Sequence, residues 1–221
     1  MSVRNDGFNV GNSIKSILDQ SYSNFELLVL DDSSTDNTFE KINEFKDSRL
    51  TIFQNSENLG LTKSLNLLIN KTKGEYIARQ DSDDISFTER FEKQLKFIKK
   101  YNLDACTTRA VTKSSNRKIP GLSINISPNI LVKFKNPFIH GSLMIKKNIL
   151  SQLNLYDEKF YYAQDFKLLS DLINSNYKIK ILKEVNYLLN DSDNISTKFK
   201  SEQKKYANLV LKNNRKITNI F

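Results

Sequence analysis

The chain is poor in the residues that mark an extracellular or membrane-spanning protein. Cysteine occurs once, at Cys106, so no disulfide can form within the chain, and a reducing cytoplasm suits it. Cys106 falls in a predicted strand and reads as a small buried hydrophobe rather than a nucleophile. No apolar run approaches the roughly 18 residues of a membrane-spanning helix. Residues Met1 to Asp6 lack the apolar core of a signal peptide. These absences predict a cytoplasmic protein without a transmembrane helix. Proline is scarce as well, and two of the three prolines fall together between Thr112 and Asn129. There is no internal repeat.

What is present suits one α/β domain, or one domain with a small appended lobe. The chain has 221 residues, 38% hydrophobic and 27% charged, within the ordinary range for a globular protein. The net charge is +9, which admits an anionic membrane face or nucleic acid as partner. Nucleic acid is the weaker reading, because the basic residues form no recognisable domain and show little aromatic interleaving. Much of the excess lies in Lys198, Lys200, Lys204, Lys205, Lys212, Arg215 and Lys216. Tyr206, Leu209, Val210 and Ile217 are spaced among them, so the basic tail over 191–221 reads in two ways. It is an amphipathic helix on the inner membrane surface, or a helix packed on the domain.

Taken in order, the chain alternates strands and helices. Met1 to Arg4 reads as the last half of a strand. Ile14, Ile17 and Leu18 fall at helical spacing. Phe25 to Leu30 is a buried strand that ends in Asp31-Asp32-Ser33-Ser34-Thr35-Asp36. A helix over Phe39, Ile42 and Phe45 and a strand over Leu50 to Phe53 follow. Leu61, Leu65, Leu68 and Ile69 share the face of another helix, with Gly74 beyond its end. A strand then runs into Arg79-Gln80-Asp81-Ser82-Asp83-Asp84, and Phe91, Leu95 and Ile98 carry the next helix. This rhythm predicts a parallel sheet with right-handed crossovers over residues 1–100. The second half is less regular. Strands are expected at Leu103 to Val111, Pro137 to Ile145, Lys178 to Leu182 and Val185 to Leu189. Thr112 to Asn129 reads as a polar loop over the site, and a helix carries Phe166, Leu169, Leu172 and Ile173.

Three carboxylates within four positions at the end of a buried strand are costly without a counter-charge. A hard divalent cation with oxygen ligands is the obvious one. A solvated acidic turn that caps the following helix is the plainer alternative. In open α/β sheets, ligands bind beyond the carboxyl ends of the strands. Both Asp31-Asp32 and Asp81-Ser82-Asp83-Asp84 stand at such ends.

The ordered set Ser16–Tyr22, Phe25–Asp36, Asn58-Leu59-Gly60-Leu61, Gly74–Asp84, Glu89–Gln94 and Ala163-Gln164-Asp165 resembles the GT-A glycosyltransferases of the inverting family 2 type. These enzymes build bacterial surface polysaccharides. The resemblance implies a GT-A fold, an α/β sheet, mostly parallel, flanked by helices, with a smaller acceptor-side region and a C-terminal helical tail. It implies a nucleotide-sugar half over 1–100 and an acceptor and base half over 101–190. By the same resemblance, Asp83 is the principal ligand of Mn²⁺ or Mg²⁺, and Asp81 assists it or contacts the ribose. Ser2, Asp31, Asp32 and Arg79 belong to the nucleotide pocket, with a structural ion pair as the other reading of Arg79. Arg90 reads as the partner of a nearby acid. Asp165 is the general base, and helix capping is its structural alternative. His140, the only histidine, contacts the acceptor or a phosphate, or is a satisfied core residue.

The chain departs from the family in three ways, one being Gln164-Asp165 where many relatives have Glu-Asp. Only Ser2-Val3-Arg4-Asn5 remains of the first strand, which predicts a missing or rebuilt wall of the nucleotide pocket. No histidine follows Asp165 where some relatives have a metal-binding one. The implied activity is transfer of a sugar, with inversion, from a UDP-linked donor to a glycan or lipid-linked acceptor. Capsule, O-antigen or lipooligosaccharide assembly is the implied setting. A non-catalytic nucleotide-sugar-binding relative and a metal-dependent nucleotidyltransferase remain open alternatives.

Overall fold

The computed structural model describes residues 1–192 and 199–218, with side chains described up to Asn214 in the last helix. Lys198 and the side chains of Arg215, Lys216 and Ile217 lie outside the described residues.

Two sheets form the scaffold. The first is parallel, with β1 (Ser2–Val3), β2 (Leu27–Asp31) and β3 (Leu50–Gln54) side by side. All five residues of β2 are buried, as its unbroken apolar run requires of a strand covered on both faces. The second sheet has the order β4 (Tyr76–Ala78), β8 (Met144–Lys146), β6 (Ala105–Thr112), β9 (Ile179–Leu189) and β5 (Ile85–Ser86). A short β7 (Lys118–Ile119) is paired to β6. The α/β class and the flanking helices follow the expectation. Parallel pairing is confined to the first sheet and β6–β9, whereas β4–β8, β8–β6, β6–β7 and β5–β9 are antiparallel.

Helices cover both faces. α1 (Val10–Leu18), α2 (Thr38–Asn43), α3 (Leu61–Lys71) and α4 (Arg90–Tyr101) take up the expected positions. One core cluster joins Val10, Ile14 and Ile17 of α1 to Leu27, Val29, Phe91, Cys106 and Met144. Cys106 is fully buried as expected, and burial pushes its thiol up to about 12. α5 (Pro128–Leu131), α6 (Lys147–Gln152) and α7 (Gln164–Asn174) belong to the second half. The two strands expected between Lys178 and Leu189 are one continuous β9. It tolerates Lys183-Glu184 because its register against β6 shifts around Arg109.

The last helix, α8 (Lys200–Thr218), packs on the domain. Val210 is buried with Val132, Ala163 and Phe166, and Tyr206 lies against them. Of the described apolar positions expected to face a membrane, Tyr206 and Val210 are taken up by protein and Leu209 is left outward, 47% exposed.

β1 is short, and its register settles what that means. Ser2 pairs with Leu30 and Val3 with Asp31, so the strand is present at the carboxyl end of β2, where the candidate site lies. The ladder of β1 on β2 stops at the pair Ser2–Leu30. Opposite Leu27 and Leu28 there is a cavity of about 600 Å³, also lined by Tyr76, Ile77 and Ala78 of β4 and by Leu65, Leu68 and Phe91. The Met1 ammonium donates to the Leu28 carbonyl at 2.8 Å. Burial first, and then the Arg79 charge, push it down to about 5.

Candidate active site

Asp31 and Asp32 end β2 and are both buried. Asp32 is fully engaged by the turn before α3. Its Oδ1 accepts from Asn55 Nδ2 (2.8 Å) and the Leu59 N–H (2.9 Å), and its Oδ2 from the Gly60 N–H (2.8 Å). Gly60 holds φ at +83°, a conformation open to glycine at little cost. Asp31 Oδ2 accepts from Ser34 N–H and Gln54 Nε2, both at 3.2 Å. Its Oδ1 is buried with no partner among the described residues. An orphaned buried carboxylate oxygen is costly and fits a donor arriving with a ligand. Ser2 is buried beside Leu30 in β1.

The acidic turn follows β4 and leads into β5. Arg79 is 5% exposed, and its Nη2 meets Asp81 Oδ1 at 2.5 Å. Its other amino group donates to the Gln80 carbonyl. Burial alone would raise the Asp81 carboxyl, but Arg79, His140 and the Met1 ammonium hold it below the ordinary range. The Asp81 main chain is pinned too. Its carbonyl accepts from Ser13 Oγ (2.7 Å), and its N–H donates to the Tyr187 hydroxyl (3.3 Å).

Asp83 and Asp84 are the uncompensated pair. Burial, then Asp81 and Asp6, raise Asp83 to about 6. Burial, then Asp81 and Asp83, raise Asp84 to about 8. Antiparallel pairing of Ile85 with Leu188 brings Asn190, just beyond β9, to both acids. Its N–H donates to Asp84 Oδ1 at 2.7 Å, and its Nδ2 reaches Asp83 Oδ2 at 3.3 Å. Asp83 and Asn190 also line a polar cavity of about 490 Å³ with Asn9, Asn12 and Lys113. Among the described residues, no three His, Cys, Asp or Glu side chains are arranged to hold a metal by themselves. The donor set nonetheless fits Mg²⁺ or Mn²⁺ of the kind held by one or two carboxylates, with substrate phosphates completing the shell. Burial and the crowding of Asp81, Asp83 and Asp84 disfavour the ionised forms of Asp83 and Asp84, and a bound divalent cation would relieve that crowding.

Arg90 is fully buried and serves the framework. It does not pair with an acid as expected. It donates to the carbonyls of Arg79 (2.8 Å) and Gly141 (3.1 Å) and to Gln80 Oε1 (3.2 Å). Gln80 in turn holds Ser13 and the Asp84 carbonyl. This network clamps the acidic turn to the Gly141 segment.

The second half supplies Asp165, the second residue of α7. The N-cap position belongs to Ala163, whose φ of +52° is left-handed, so Asp165 is not the cap. Its Oδ2 accepts from Asn136 Nδ2 at 2.7 Å. His140 Nε2 and the Tyr156 hydroxyl are 2.7 Å apart. Burial and Arg79 push His140 down to about 4, against the pull of Asp165 and Asp81. A neutral imidazole is no cation for a phosphate. Tyr156 is raised by burial and feels the same three charges, Arg79, Asp165 and Asp81. His140 and Tyr156 therefore sense acids from both halves of the chain. Asp6, Asn136, Gly141, Tyr187 and Asn190 escaped sequence reasoning, since none carries a local signal and each reaches the site through tertiary register.

The family model for glycosyl transferase family 2 matches residues 1–174. The chain belongs to this family. It is 35% identical to the EpsE glycosyltransferase of Bacillus subtilis over 162 residues, covering 71% of this chain and 58% of the relative. It is 30% identical to WfgD of Escherichia coli, a UDP-Glc:α-D-GlcNAc-diphosphoundecaprenol β-1,3-glucosyltransferase, over 77% of this chain and 76% of that one. Among solved structures, S. aureus TarS 1–349 in complex with UDP-GlcNAc superposes with a TM-score of 0.78 at 17% identity, covering 95% of this chain and 63% of TarS 1–349. The chain thus spans somewhat under two thirds of EpsE and of TarS 1–349. Among the described residues no helix is long and apolar enough to cross a membrane.

Proposed function

We propose that this family 2 protein is a metal-assisted inverting glycosyltransferase. It moves a sugar from a UDP-linked donor to a glycan or lipid-linked acceptor in the assembly of a bacterial surface polysaccharide such as capsule, O-antigen or lipooligosaccharide. Residues 1–100 hold the donor, 101–190 present the acceptor and the base, and the tail beyond carries α8. The observation that carries the reading is the acidic turn with Asp81 and Asp83, clamped through Arg90 and Gln80 to the Gly141 segment beside His140. The UDP-dependent names of WfgD and the TarS complex support the choice of donor.

Asp31 Oδ1 is the free acceptor for an N–H or O–H of the nucleoside, with Ser2 beside it. Asp32 holds the 58–60 turn that closes the pocket. Arg79 fixes Asp81 more than it reaches for phosphate. Asp81 and Asp83 would hold Mn²⁺ or Mg²⁺, which when bound offsets the charge gathering on the departing diphosphate. Asn136 occupies one oxygen of Asp165 and leaves the other to face the acceptor. That carboxylate takes the acceptor hydroxyl proton as the new C–O bond forms on the face opposite the leaving nucleoside diphosphate. His140, neutral and tied to Tyr156, packs beside the acceptor as a hydrogen-bonding group.

Thermal shift with UDP, GDP and CDP, each with and without Mn²⁺, tests the donor side, because a ligand selective for the folded state raises its stability. Metal-dependent stabilisation by UDP is expected, and Asp83→Ala should abolish it. Unchanged affinity in Asp83→Ala would remove Asp83 from the metal site. Asp165→Asn should keep that stabilisation and lower turnover by about 10²–10⁴. Near-normal turnover would exclude Asp165 as the base. A nucleotide-binding relative without activity would show the shifts and no donor hydrolysis.

A further inference from the structure

The segment 113–135, expected to be a polar loop as far as Asn129, carries both charge and exposed apolar surface. It contains Lys113, Arg117, Lys118, Lys133 and Lys135 and no Asp or Glu, and all five basic residues are exposed. Between them Leu122 is 92% exposed, Ile126 45%, Ile130 54% and Phe134 67%. These four recur every four residues through a 3₁₀ turn at Leu122–Asn125 and the short α5. The segment is anchored. Leu131 and Val132 are buried, Val132 packs with Ala163, Phe166 and Val210, and Asn214 Nδ2 donates to the Val132 carbonyl at 3.1 Å. Ile130 and Phe134, on either side of that anchor, are therefore held out in water by a fixed backbone.

We infer that this face docks on an anionic lipid bilayer, with Leu122, Ile126, Ile130 and Phe134 entering the headgroup boundary and the basic residues meeting lipid phosphates. Charge selects this occupant. The segment's five cations outweigh Asp191, which is bonded to it at Ser114, and would repel a second copy of the same face, whereas an anionic membrane supplies the missing countercharge. Position gives the docking a use. The segment ends one residue before Asn136, the partner of Asp165, so a docked bilayer would lie along the edge where an acceptor reaches the base. In its use the surface rests on the reading of a lipid-linked acceptor; in its physics it does not.

The test is co-sedimentation of the 221-residue protein with phosphatidylglycerol–phosphatidylcholine vesicles and with phosphatidylcholine vesicles, without donor, metal or acceptor. Binding to the anionic vesicles that weakens with salt is expected. The triple variant Leu122→Ser, Ile130→Ser, Phe134→Ser should bind on the order of tenfold less, and Lys133→Glu with Lys135→Glu should erase the preference for anionic lipid. All five positions are exposed, so folding should persist and UDP-induced thermal stabilisation should match the parent. Leu209→Ser, on the outward side of α8, should change nothing. Equal sedimentation of parent and triple variant, or a loss seen only with Leu209→Ser, would overturn the proposal. So would a parent that ignores vesicles and instead forms a dimer that the triple variant lacks. Vesicle binding without any response to UDP would leave the surface standing and refute the donor reading alone.

Discussion

Gly141 is a residue whose importance lies in what it lacks. A Cβ there would come within 2.2 Å of the Tyr187 hydroxyl and 2.6 Å of Asp81 Oδ2. Neither neighbour can retreat easily, since Tyr187 is fully buried against Arg90 and Asp81 is bound to Arg79. Gly141→Ala should therefore lose about 1–3 kcal/mol of stability, the usual cost of overpacking, and weaken metal-dependent nucleotide binding as Asp81 is displaced. Gly121→Ala, with open space around it, is the matched control and should be near neutral. Urea midpoints and nucleotide-induced thermal shifts read both effects, and equal behaviour of the two variants would refute the account.

Asp84 makes a second residue-scale prediction. Its folded value of about 8 lies above the ordinary 3.8, so between these limits the folded state keeps a proton that the unfolded chain gives up. Stability then falls as pH rises from about 4 to about 8 and levels off beyond. Asp83 adds the same sign up to about 6. Met1 and His140, whose folded values are lowered, act oppositely over about 5–8 and 4–6.5. The difference between parent and Asp84→Asn isolates the effect. In metal-free urea unfolding, the variant should gain on the parent by a few kcal/mol across that window, on the order of 1.4 kcal/mol per unit. Parallel stability curves would show that Asp84 is not held protonated.

Elements were legible in proportion to their own sequence signal. β2 announced itself by an unbroken apolar run, and α1, α3, α4 and α7 by an apolar face at helical spacing. β5 and β7 have two residues each and exist because a partner strand recruits them. β9 was read as two strands because Lys183-Glu184 interrupts it, and a register shift against β6 absorbs that interruption. The acids of the site were legible because such density of carboxylate has few cheap explanations. Their organisers were not. Asn190 arrives through β5–β9 pairing, Asn136 through the loop beyond α5, and Arg90 spends its charge on carbonyls that no local pattern reveals. The tail shows the same limit, for an amphipathic helix declares an apolar face without saying what covers it.

At the scale of the whole molecule, β4 is an edge strand, with β8 as its hydrogen-bonded neighbour among the described residues. Among the described residues, no ladder of backbone bonds crosses from the three-stranded sheet to the other. What joins them is side-chain contact, chiefly the cluster that links Leu27 and Val29 to Phe91, Cys106 and Met144. Such a joint rests on burial and on side-chain bonds from α1, such as Ser13 Oγ to the Asp81 carbonyl, and the two sheets are expected to open as separate units. Amide hydrogen exchange would register this. Val29→Ala, at a fully buried position of β2, should speed exchange in β2 and β3 far more than in β6 and β9, and an equal loss in all four would show a single unit. With Asp31 on one sheet and Asp165 beside the other, the donor and the base would then ride on parts able to breathe independently, and a bound nucleotide would act as the rivet between them.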